Sequence, residues 1–176
     1  MNKDILITTK LKNTSLYSKK NKFLGSWCFD NVIEESKYIK FITEFPWDDR
    51  DKCYSDYIYL KSLNKRILIS LSKFFNEHFK LNKSNKFWEI ILGPWIISFT
   101  AITLHNWNVV NKFLKNNKNC KTFVFEFDEN EIVLNDMGSI KKLYYSDEWN
   151  HYLFSKIIEY FENNNKSSDI EIVRNK

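Results

Sequence analysis

From Tyr54 onward, large apolar residues return at steps of three and four: Tyr57, Leu60, Leu63, Ile67, Leu71 and Phe74, closing on His78. Ile58, Leu68 and Phe75 widen the stripe. That period predicts a long helix with one broad buried face. Its start is marked by Phe45-Pro46-Trp47-Asp48-Asp49-Arg50. Proline biases the residue before it away from helical backbone, and Asp48 or Asp49 then has the chemistry of an N-cap. The helix should end near Lys80, before the polar loop at 82–85. Residues 87–104 form the most apolar window, close to the length of a membrane span. Glu89 and a central Gly93-Pro94 favour a buried, kinked core helix instead, in two pieces at 85–92 and 95–115.

Strand signals flank these helices. Residues 5–9 are short, β-branched and apolar, the pattern of a buried first strand. Residues 10–22 read as a loop, and 23–28 as a strand running into a turn at Gly25. Residues 29–37 are mostly polar, and 38–42 fit either a strand or a helical turn. After a solvated loop at 115–120, phenylalanine on alternate positions marks a strand at 122–127. Residues 128–131 turn the chain, and 132–134 fit either a partner strand or an irregular segment. Asp147 is expected to cap a last helix at 148–162, with Trp149, Leu153, Ile157 and Phe161 inward. Residues 1–162 thus read as one α/β domain, and 163–176 as a polar tail in which 170–173 resemble the start of a strand. A strand-like ending with no covering helix suggests one piece of a larger architecture.

Composition narrows the class. With 43% hydrophobic and 17% aromatic residues, the chain of 176 can bury a core. Its net charge of +5 comes from scattered lysines, a poor footprint for a nucleic-acid reader. Cys28, Cys53 and Cys120 lie far apart without a CxxC pair, which argues against a zinc knuckle or a disulfide framework. The N-terminus lacks the pattern of a secretory signal. Together these point to the cytoplasm, or to the inner face of a membrane, without a membrane span.

Two polar clusters carry candidate chemistry. In the first, Asp48 or Asp49 has the chemistry of a general base, Arg50 of a clamp for an anion, and Trp47 of a stacking platform for a sugar. The competing reading is an N-cap with a local salt bridge. The second is Asp147-Glu148-Trp149-Asn150-His151, where a cap and a buried stripe account for Asp147 and Trp149 but not for Asn150 and His151. These two have the chemistry of an acid–base or substrate-binding pair. His78 is a further binding candidate, set against its reading as a core histidine, and His105 falls on a helix face. Three scattered histidines suggest no metal site, and the absence of a Gly-rich phosphate loop suggests no cofactor.

Read in order, Leu24-Gly25-Ser26-Trp27-Cys28, Trp47-Asp48-Asp49-Arg50, Asp56-Tyr57, Leu60, His78, Trp88, Leu92-Gly93-Pro94-Trp95 and Asp147-Glu148-Trp149-Asn150-His151 make a recognisable set. Over residues 4–162 it resembles the N-terminal part of a transferase family found with bacterial surface-polysaccharide genes. Ser26 departs from the acidic residue that follows the glycine in that pattern. The resemblance implies an architecture similar to two-Rossmann-domain glycosyltransferases. The fold is then a small, mostly parallel Rossmann-like sheet flanked by long helices, helix-rich, and one half of a longer whole. It implies an acceptor-side domain that binds a sugar or glycan, with a C-terminal donor-binding half as partner and little activity alone. On that reading Asp48, Asp49 and His151 are catalytic. Trp47, Arg50, His78, Trp149 and Asn150 bind substrate, with both clusters lining one cleft. The alternatives are a non-catalytic interaction module that pairs with a separate C-terminal half, and a weakly basic nucleic-acid binder.

Overall fold

The structure is a computed structural model that describes residues 3–11, 21–133, 136, 138–139, 144–164 and 170–175. The chain divides into two compact units, Met1–Phe45 with Asn106–Lys176, and Pro46–His105.

The first unit is built on a four-stranded sheet. Its strands are β1 (Asp4–Ile7), β2 (Asn21–Phe23), β3 (Cys120–Phe125) and β4 (Ile170–Asn175), in the order β2-β1-β3-β4. All three pairings are parallel, with Ile5 opposite Asn21, Asp4 opposite Cys120, and Cys120 opposite Ile170. The fold is helix-rich α/β, as expected. Side chains alternate across the pleat. Leu6 therefore joins a core with Val110, Phe113, Phe154 and Ile158 on one face of the sheet. Ile7 joins Phe23, Cys28 and Phe29 in a second cluster. The first cluster is covered by the last turns of α3 (Asn85–Asn116) and by α5 (Asp147–Asn164).

Residues 29–37 hold a helix that apolar periodicity did not announce, α1 (Val32–Tyr38). Asn31 caps it by accepting from the Glu34 amide at 2.9 Å. No residue of α1 is buried, so its apolar positions carry no periodic signal. The open choice at 38–42 resolves to a 3-10 turn at Ile39–Phe41, with a single parallel bridge from Ile42 to Phe23. Residues 132–134 form no strand where they are described: the short helix α4 (Glu129–Ile132) takes Ile132, and Leu134 lies outside the described residues. So do residues 12–20 of the expected first loop and 165–169 of the tail.

The second unit is helical. A 3-10 turn at Pro46–Asp48 leads into α2 (Arg50–His78). Asp49 is the N-cap, accepting from the amides of Asp51 at 3.0 Å and Lys52 at 3.1 Å. The turn to α3 is pinned by Asn76, whose side chain donates to the Lys83 carbonyl and accepts from the Lys83 amide and Trp88 Nε1. Ser84 Oγ caps α3 by accepting from the Phe87 amide.

Two expectations for these helices fail. The apolar window is one continuous helix with Pro94 inside it, not two pieces meeting at Gly93-Pro94. One missing amide costs the helix a single hydrogen bond, and intact turns on both sides carry it through. Nor is the apolar stripe of α2 buried. In α2 only Asp56 and Ser72 are buried, and Tyr57, Ile58 and Phe74 are exposed. The helix α3 is long and apolar enough to cross a bilayer by length and composition, yet little of that window is buried.

Candidate functional site

In an open parallel sheet, ligands bind beyond the carboxyl ends of the strands, where the strand order reverses. Here that point lies between β1 and β3, because β2 pairs on one side of β1 while β3 and β4 extend the other. Thr8 follows β1, Leu24 and Gly25 follow β2, Phe127 follows β3, and α5 begins nearby with Asp147.

His151 closes this edge. It is fully buried, with Nδ1 at 2.6 Å from Thr8 Oγ1. The Phe125 ring lies 5.0 Å from the imidazole and the Phe127 ring 6.0 Å. Burial alone pushes the imidazole down to about 4, so it is neutral near pH 7. Its Nε2 is buried and has no hydrogen-bond partner among the described residues. Leaving such an atom unsatisfied costs about 1–3 kcal/mol.

The loops around His151 are tightly held. Trp27 Nε1 donates to the Thr8 carbonyl at 2.9 Å, and the Cys28 thiol lies against the Ile7 carbonyl at 3.5 Å. Burial pushes that thiol up to about 12. Gly25 is required by close approach, since a Cβ there would meet the Trp27 ring at 2.2 Å. Ser26 Oγ donates to Glu35 at 2.6 Å.

At the mouth of α5 the capping assignment changes. Ser146, not Asp147, is the cap: its Oγ accepts from the Trp149 amide at 3.2 Å and donates to Glu148 at 2.7 Å. Asp147 is thereby released from the role that seemed to explain it. Its carboxylate receives the Lys10 backbone amide, and Lys10 Nζ pairs with Asp30 at 3.2 Å. Burial raises the Asp147 carboxyl above the usual range, with Glu148 and Asp30 adding to it and Lys10 opposing. Sequence reasoning passed over Asp147 because an aspartate at a helix start is usually a cap. The serine one residue earlier was the available clue.

Asn150 is occupied, donating through Nδ2 to the carbonyls of Tyr144 at 2.8 Å and Ser146 at 2.9 Å. Trp149 is buried against Tyr144. Of the three, only His151 keeps a buried side-chain polar atom without a hydrogen-bond partner among the described residues.

Trp47, Asp48, Asp49, Arg50 and His78 belong to the helical unit. The Asp49 carboxylate is engaged in capping, and Asp48 and Arg50 are exposed. Trp47 Nε1 donates to Asp56 at 2.9 Å, and its ring lies 5.2 Å from that of His105. Lys52 completes the cluster by pairing with Asp56, which is buried. Burial lowers the His105 imidazole. His78 is no core residue: it is exposed and stacks on Phe74 at 5.5 Å. Among the described residues no group of His, Cys, Asp and Glu is placed to hold a metal ion.

A family model described as LIC12162 family transferase matches residues 4–176. The chain belongs to the LIC12162 transferase family. No curated protein and no solved structure matches it. Membership agrees with the resemblance read over residues 4–162 and extends it through β4.

Proposed function

We propose that this chain is the acceptor-binding part of a glycosyltransferase of surface-carbohydrate synthesis, working at the inner face of a membrane. A separate donor-binding half supplies the nucleotide-sugar. The observation that carries this reading is the neutral, buried His151 at the β1/β3 reversal, with Nε2 unsatisfied among the described residues. A fold keeps such an atom at a cost in stability, and sites of chemistry are where such costs collect.

The chemistry follows from the tautomer in which Nδ1–H donates to Thr8 Oγ1, leaving the Nε2 lone pair bare. As an acceptor hydroxyl attacks the anomeric carbon, the new C–O bond forms and the bond to the nucleotide phosphate breaks. The hydroxyl proton passes to Nε2. Asp147, with its carboxyl raised by burial, and Lys10 beside it offer hydrogen bonds to neighbouring hydroxyls of the acceptor.

The test is ligand binding to the whole chain, followed by saturation-transfer NMR. Oligosaccharide acceptors should bind, nucleotide-sugars should not, and His151→Phe should weaken acceptor binding by about tenfold while the far-UV CD spectrum is kept. In a preparation carrying the donor half, the same variant should lose transfer by roughly 10²–10⁴, the scale of a removed general base. Acceptor binding and transfer that survive His151→Phe unchanged would remove the proposal.

A further inference from the structure

The helical unit holds a groove that the sheet-edge site does not use. Hydrogen bonds from Thr100 to Asn64 and from Trp88 to Asn76 set α2 and α3 side by side in opposite directions. Along one side of this pair runs a depression of about 490 Å³. Its walls are Leu68 and Ile69 of α2 and Gly93, Ile96 and Ile97 of α3. Ile69 is 48% exposed and Ile97 59%, so the trough presents apolar surface to solvent. Gly93 creates part of the space: a Cβ built there meets only Glu89 Cγ, at 3.8 Å. On helical rise, the stretch of α3 that lines the groove, from Asn85 to Ile97, is about 18 Å long.

The charge on the rim is one-sided. Lys61 and Lys65, one helical turn apart, line the groove, and neither enters an ion pair among the described residues. Lys86 and Glu89 also line it, but they pair with each other at 2.9 Å. An elongated apolar trough with two uncompensated ammonium groups fits a ligand that is apolar along its length and anionic at one end. A neutral oil would leave the lysines unused, and a small anion would leave the trough empty.

We propose that this groove binds a single-chain acidic amphiphile, its hydrocarbon tail against Gly93, Ile96 and Ile97 and its headgroup at Lys61 and Lys65. The proposal stands apart from the sheet-edge reading, because the groove is formed by the other unit and binding is measured without any transfer reaction.

Calorimetric titration of the whole chain with dodecyl phosphate, below the concentration at which it forms micelles, tests it. Saturable binding is expected, with dodecyltrimethylammonium and inorganic phosphate each at least about tenfold weaker. Gly93→Leu fills the trough and replaces glycine by a better helix former, so the fold should hold while affinity falls about tenfold. The surface double variant Lys61→Gln/Lys65→Gln leaves packing untouched and should weaken binding about fivefold, with a shallower dependence on salt. No saturable binding, equal binding of the cationic amphiphile, or full affinity in a Gly93→Leu chain with an unchanged melting curve would each overturn the assignment. So would full affinity in the double lysine variant, which needs no refolding argument.

Discussion

His151 ties stability to pH through one side chain. Its imidazole titrates at 6.5 when free of the fold and at about 4 when buried. Between those values the unfolded chain holds a proton that the native chain does not. Stability is therefore complete above pH 6.5, falls as the pH drops towards 4, and levels off below it, a total of roughly 3 kcal/mol from this group. Burial lowers His105 in the same sense. Urea melts of the native chain and His151→Phe, compared at pH 7 and at pH 4, isolate the His151 share: the native chain should lose about 3 kcal/mol more than the variant. Equal losses in both would mean the imidazole is hydrated in the fold. His151 stood out in the sequence because neither a cap nor a stripe explained it, and the fold places it buried against Thr8 at the sheet edge. For Asp147 the sequence held only a clue, the rival cap Ser146, and the position of that hydroxyl decides which of the two residues caps α5. Gly25 was visible only as a turn; its real constraint is the Trp27 ring folded over it.

Helices show the limits of periodicity more sharply. The three-and-four spacing located α2, and the aspartates after Pro46 offered two possible caps, of which Asp49 is the one used. It did not tell which apolar face would be covered, because amphipathicity records a tendency to bury and not the partner that does it. Tyr57 and Phe74 stay exposed, while the stripe's polar neighbours Asp56 and Ser72 are buried. Gly93-Pro94 looked like a break because proline is judged by its own missing bond, not by the turns on either side. The end of α2 carries a testable strain. Lys80 has φ 52°, the left-handed conformation, and follows the last helical residue by two. Replacing it with glycine removes the Cβ clash and should stabilise the chain by up to about 1 kcal/mol, read as a rise in the denaturant midpoint. A fall in that midpoint would show that the lysine side chain contributes packing that glycine loses.

At the scale of the whole molecule, burial is unevenly shared. Among the described residues, Trp88 and Ile96 are the only buried hydrophobics of the helical unit, whereas the sheet unit has two clusters of them. Local opening follows the density of buried apolar contacts. Hydrogen exchange read by mass spectrometry should therefore find α2 and the first turns of α3 less protected than β1, β3 and α5; uniform protection across all of them would contradict that ordering. The α/β class was legible in short β-branched runs alternating with helical stretches, and the parallel sheet was what the family resemblance implied. Strand order was not, because the reversal between β1 and β3 depends on pairings that no local pattern encodes. Cys28 lies in the second of those clusters, its thiol against the Ile7 carbonyl and raised to about 12. With Cys120 also buried and raised, oxidants and electrophiles meet only the exposed Cys53 among the three cysteines. Redox damage is thus steered to the first turn of α2, and the edge that holds His151 keeps its sulfur chemistry silent.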